Sequence, residues 1–153
     1  MKKQTEIIIG QAQKVSINFE EGPVQLPLVK REEDFIKFML VVDDAFLSGQ
    51  FMIRMNGIKS ERAHPILEVS LHSSGGQDRS IQVGSMSLYG IESASMKSFR
   101  DDAPGMDQVF VLEKEELDGF RFWDELFVKI EARRNVPVRA VLEIERLDLV
   151  FLY

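Results

Sequence analysis

The chain has 153 residues, a length that fits one domain, residues 1–153. A globular chain of this length buries roughly 68–70% of its unfolded surface, so its core needs neither a disulfide nor a structural metal. Twenty-five acidic residues against nineteen basic ones give a net charge of −6. That balance repels phosphate backbones and anionic lipid, and no lysine–arginine run longer than a pair offsets it. Neither a nucleic-acid nor a membrane partner is expected. The absence of cysteine excludes disulfides, thiolate zinc sites, iron–sulfur clusters and cysteine nucleophiles together.

The N-terminal segment is basic at Lys2 and Lys3, but Ile7-Ile8-Ile9 is too short for the apolar core of a secretion signal. No segment approaches the ~20 apolar residues that span a bilayer, so a cytoplasmic location is expected. Period-2 alternation then begins. Val15, Ile17 and Phe19 alternate with Ser16 and Asn18; Glu20-Glu21-Gly22-Pro23 reads as a turn. Val24, Leu26 and Leu28 alternate with Gln25 and Pro27. Pro27 has no amide hydrogen to give a ladder, which predicts an edge strand. The apolar run between Asp34 and Asp44 is nearly continuous, and fits a buried strand or a short helix equally well.

Phe51, Ile53 and Met55 predict the next strand, closed by Gly57, and Leu67, Val69 and Leu71 the one after it. Ser73 to Asp78 is a loop by composition. Further strands are expected over Ile81 to Ile91, Gln108 to Leu112 and Leu126 to Ala132. Between the last two, Glu113 to Leu117 holds helix formers and Gly119 follows, which predicts one or two helical turns. In the final strand the apolar positions are even at Ala140, Leu142 and Ile144, then odd at Leu147, Leu149 and Phe151. That change of phase predicts a β-bulge at Glu145-Arg146. The pattern as a whole predicts a mostly β domain: a single antiparallel β-sandwich or jelly roll with one short helix.

The chemistry available is sparse. His64 and His72 are the only imidazoles, so a site needing three or more cannot be built within this chain. His72 falls on the polar face of its strand, and His64 precedes Pro65 in a surface turn. No nucleophile elbow, dinucleotide fingerprint or phosphate-binding loop occurs. Asp101 to Asp107 could offer oxygens to calcium but lacks the spacing of a helix–loop–helix calcium site. Met52 and Met55 point to opposite faces of one strand, and Met86 reads as core. No catalytic residue, metal ligand or cofactor-binding residue is assigned. Phe120, Phe122 and Trp123 fit either a plug closing one end of the sandwich or an exposed aromatic patch for a partner or a sugar.

Four strings, in order, resemble the C-terminal β-domain of the bacterial tyrosinase and polyphenol oxidase family. Thr5 to Ala12 followed by Val15-Ser16-Ile17 resembles its opening, and Phe51 to Ile58 its next matching strand. Val83-Gly84-Ser85-Met86-Ser87-Leu88-Tyr89-Gly90-Ile91-Glu92-Ser93-Ala94-Ser95 is the sharpest of the four. Leu126 to Ile130 and Val136 to Leu152 resemble its closing strands. In that family six histidines of a separate helical domain hold two coppers that oxidise phenols, and the β-domain covers it. The resemblance implies the non-catalytic part: not an enzyme, without cofactors, shielding or stabilising a dicopper phenol-oxidase domain as its protein partner. A stand-alone protein- or carbohydrate-binding module on the same sandwich is the other expectation.

Overall fold

Alternating stretches become paired strands throughout the computed structural model, which describes residues 4–18, 23–60, 66–74, 79–86, 106–132 and 141–153. Among these residues the order is β1 (Glu6–Asn18), β2 (Val24–Pro27), α1 (Glu32–Ala45), β3 (Gln50–Ser60), β4 (Leu67–Ser74), β5 (Arg79–Met86), β6 (Met106–Leu112), β7 (Glu125–Ala132) and β8 (Val141–Leu152). Two four-stranded antiparallel sheets result, ordered β1-β8-β3-β6 and β2-β7-β4-β5. Strands β1 and β8, β2 and β7, β3 and β6, and β4 and β5 pair with each other. The chain thus doubles back on itself as one long hairpin. Rolling that hairpin brings β8 beside β3 and β7 beside β4. The rolled hairpin is a jelly roll, one of the two architectures expected from the alternation. Pro27 lies in β2, which is an edge strand as its missing amide hydrogen requires.

Strand β4 shows why the alternation was readable. Leu67, Val69 and Leu71 are buried between the sheets, and Glu68, Ser70 and His72 face outward. The inner faces of β3, β7 and β8 bury Phe51, Ile53, Met55, Val128, Ile130, Leu147, Leu149 and Phe151 in the same way.

The expected bulge at Glu145-Arg146 is not present. Strand β8 keeps one register with β1 and one with β3 on both sides of Glu145. The change of phase is instead shared by three strands in one row. The register places Lys14 of β1 and Gly57 of β3 beside Glu145, and both have positive φ, 48° and 66°. Each strand therefore turns over at the same level, and no residue is inserted in β8 relative to its neighbours. Apolar positions alone show that a strand flips, not whether its neighbours flip with it. The register shifts fall on other pairings: between Ile8 and Gly10 of β1 against β8, between Val69 and Ser70 of β4 against β5, and, at the level of Gly57 itself, between Met55 and Ile58 of β3 against β6. Gly57 has no substitute in this row, since a Cβ there would lie 2.7 Å from the Glu145 Cβ.

The ambiguous run from Asp34 to Asp44 is helical, within α1. Glu32, Glu33 and Asp34 occupy its first turn, where carboxylates favour the helix macrodipole. Phe35, Phe38, Val42 and Ala45 recur at helical spacing and pack on the core, with Phe38 fully buried. The helical turns expected at Glu113 to Leu117 are a succession of tight turns instead. Amides of Glu116, Leu117 and Phe120 reach back three residues, to Glu113, Lys114 and Leu117. Gly119, at φ 75°, turns the chain away from a helical path, and one more such turn follows, from the Asp124 amide to Arg121. Among the described residues α1 is thus the one helix, longer than expected and placed earlier in the chain.

Candidate docking surface

Helix α1 carries two apolar stripes. The inner stripe centres on Phe38, whose ring meets Phe51, Phe122 and Phe151 edge-on at centroid distances of 6.0, 5.4 and 5.6 Å. Phe51 stacks on Phe122 at 4.9 Å, and Phe120 meets Phe122 at 5.0 Å. These rings form the plug, and Phe120 and Phe122 belong to it. The outer stripe consists of Ile36, Met39, Leu40 and, just past the helix end, Leu47. The first three recur at i, i+3 and i+4, and all four face solvent, Leu40 at 76% and Leu47 at 87% exposure. Trp123 is 54% exposed while its neighbour Phe122 is buried. The two readings of the late aromatics are therefore divided between residues: the phenylalanines plug, and the tryptophan stands in the surface.

A groove of about 300 Å³ runs between α1 and the turns of 117–123. Its floor includes Phe38, Val42, Phe120 and Phe122, and Met39 and Trp123 line it as well. Two of its lining residues are charged, and both are aspartates: Asp43 on the helix side and Asp118 on the turn side. Three cations stand near this end. Lys114 donates to the Leu47 carbonyl. Arg121 pairs with Asp124 and lies 5.4 Å from the Trp123 ring centroid. Gly119, with its positive φ, lets the Arg79 guanidinium approach to 2.5 Å from where a Cβ would stand.

A second cleft, of about 580 Å³, opens on the other flank of Trp123, lined by Gln25, Lys30, Ser74, Glu125 and Phe127 among others. Lys30 donates to the Asp124 carbonyl and lies 4.6 Å over the Phe35 ring. Burial lowers its ammonium below the ordinary 10.5, against the opposing pull of Asp124 and Glu125.

Among the described residues, side chains on the outer face of the β1-β8-β3-β6 sheet bond to one another. Asp148, in mid-sheet, is 0% exposed. It accepts from Gln11 Nε2 at 2.8 Å, from Arg146 Nε at 2.9 and 3.0 Å, and from Arg54 Nη2 at 3.2 Å. Arg54 also pairs with Glu6 at 2.5 Å. Burial pulls the Arg54 guanidinium down, but its hydrogen bonds to Glu6 and Asp148 outweigh this, and the net shift is upward. Gln11 accepts from Gln13 at 3.1 Å and from Arg31, at the start of α1, at 3.2 Å. The next row, Ile8, Val150, Met52 and Val111, is apolar, and Val150 is fully buried within it.

His72 stacks on Phe127 at 4.8 Å, with the rings 8° from parallel, and its Nε2 lies 2.8 Å from Ser70 Oγ. That is nucleophile–base distance, yet both residues stand on the outer face of a central strand. The amides of β4 are committed to ladders with β5 and β7, so the strand has none to spare for an oxyanion. His64 and residues 101–105 of the acidic loop lie outside the described residues. So do the far ends of two expected strands, at Ile91 and Ala140, and Gly75 to Asp78 of the expected loop, whose first two residues, Ser73 and Ser74, belong to β4 instead. Among the described residues no three histidine or acidic side chains gather as a metal would require. No described helix is long and apolar enough to cross a membrane.

The outer stripe of α1 was open to discovery from sequence, by counting Ile36, Met39, Leu40 and Leu47 at helical spacing. The inner and outer stripes together fill the run, and that hid the period of either one.

Fold and surface define a class: a jelly-roll β-domain with a helix inserted between its second and third strands and an apolar groove left open beside that helix. Residues 4–151 match the family described as Domain of unknown function (DUF7868), and the chain belongs to that family. None of the curated proteins compared with the chain matches it.

Proposed function

We propose that this chain is a non-catalytic β-domain that docks, through α1 and Trp123, on a separate dicopper phenol-oxidase domain, shielding its entrance or stabilising it. The observation that carries the docking reading is the outer stripe of α1. Ile36, Met39, Leu40 and Leu47 contribute nothing to the core, and Trp123 continues their surface. Contiguous apolar surface on one face is the mark of an interaction site, and tryptophan is among the commonest anchors of such sites. The choice of partner rests on the four ordered strings that resemble the tyrosinase and polyphenol oxidase β-domain. The supply of two imidazoles and no thiol fits a supporting role.

The test is a titration of a purified dicopper phenol oxidase, trimmed of its own β-domain, with this chain. Co-elution is expected, together with a changed rate of catechol oxidation or slower thermal inactivation of the oxidase. Trp123→Ala combined with Leu40→Ser abolishes both. The reading fails if that double variant co-elutes as well as the parent, or if the chain alone oxidises a catechol. The cleft flanking Trp123 on its other side, with Gln25, Lys30 and Glu125 beside two aromatic rings, favours a sugar as the second reading. Glycan binding lost in Trp123→Ala, with no affinity for the oxidase, would establish it.

A further inference from the structure

We infer that the groove between α1 and Trp123 receives a basic amphipathic segment of the partner: one or two large apolar side chains enter it, and lysine or arginine meets its rim. The inference rests on the docking reading above and adds the chemistry of what is docked.

Two observations carry it. The first is the lining: an apolar floor whose two charged members are Asp43 and Asp118, one on either side. Among the described residues no ion pair or hydrogen bond engages either carboxylate. A segment lying along the groove passes between two anions of the same sign, and complementarity asks for cations on it. The second is the position of Asp43 and Asp44 in the last turn of α1, which holds no basic residue. Carboxylates at a helix C-terminus oppose the macrodipole, so this arrangement weakens the isolated helix. A cation bound at Asp43 relieves that opposition and the repulsion between the neighbouring carboxylates together. The stripe supplies the apolar contact: its residues repeat with a helix's own spacing, so an amphipathic helix laid alongside α1 presents anchors at matching intervals.

Trp123 is the sole tryptophan of the chain and lines the groove, so its emission reports occupancy directly. The test is a fluorescence titration with two synthetic amphipathic peptides. They share leucines and one phenylalanine at i, i+3, i+4 and i+7, and differ in carrying lysine or glutamate at every polar position. The lysine peptide is expected to shift Trp123 emission saturably. The glutamate peptide binds at least about fivefold more weakly, as two rim ion pairs warrant, and added salt narrows that preference. Asp43→Asn with Asp118→Asn is expected to erase the preference while circular dichroism stays that of the parent. Equal binding of the two peptides, no saturable shift, or a preference intact in the double asparagine variant overturns the inference. If the peptides fail while the phenol-oxidase domain still docks in a Trp123-dependent manner, the basic segment falls and the docking reading stands. If the lysine peptide binds as expected and the oxidase domain does not, the groove chemistry stands and that partner falls.

Discussion

The outer face of the β1-β8-β3-β6 sheet and the solvent side of α1 both hold apolar side chains away from the core, and they treat them in opposite ways. On the sheet, Val150 is flanked by Ile8 and Met52 and bordered by the Asp148 network, and it is fully buried. On α1, Leu40 and Leu47 protrude with most of their surface in water. The difference is geometric. Side chains on a flat sheet have neighbours on both adjacent strands and can cover one another. Side chains on the outside of a single helix have neighbours along only one line, so only a second element can bury them. A sheet face can finish itself; an outer helix stripe cannot.

Three variants sharpen or break this contrast. The largest effect is expected at Phe38, the centre of the inner stripe. Phe38→Ala leaves a void among Phe51, Phe122 and Phe151, and urea unfolding should show a loss of about 3–5 kcal/mol. A loss near zero would mean that α1 is no part of the cooperative core. Next comes Asp148→Ala, which strands Arg54 and Arg146 beside a buried gap. The guanidinium groups can turn toward water, so a smaller loss of about 2–3 kcal/mol is expected in the same measurement. A neutral result would show that the sheet's outer face closes without its charges. The smallest effect belongs to the outer stripe. Leu40→Ser with Leu47→Ser should change unfolding stability by no more than about 0.5 kcal/mol, since these side chains are already hydrated. A large loss there would show that the stripe supports the fold instead of a partner.

The strands were legible wherever one face met the core and the other met water, as along β4, because the burial of alternate residues is written directly into a period of two. Pro27 announced its edge because the missing amide hydrogen is a local, covalent fact. Residues whose meaning depends on a neighbour were not legible. Glu145 marks a change of phase, but only Lys14 and Gly57 beside it show that three strands turn over together. Asp148 reads as an ordinary strand aspartate until Gln11, Arg54 and Arg146 close over it. Trp123 and Phe122 are adjacent in sequence, and one is surface while the other is core.

Composition alone settled that the chain holds two imidazoles and no thiol, and periodicity that its architecture is β. Those depend on the residues present and on local backbone geometry, which no partner alters. The nesting of the hairpin into a jelly roll, and which stripe of α1 turned inward, were decided only in three dimensions. Burial is a property of what lies opposite. The side of α1 facing Phe51 and Phe151 became core, and the side bearing Ile36, Leu40 and Leu47 stayed in water.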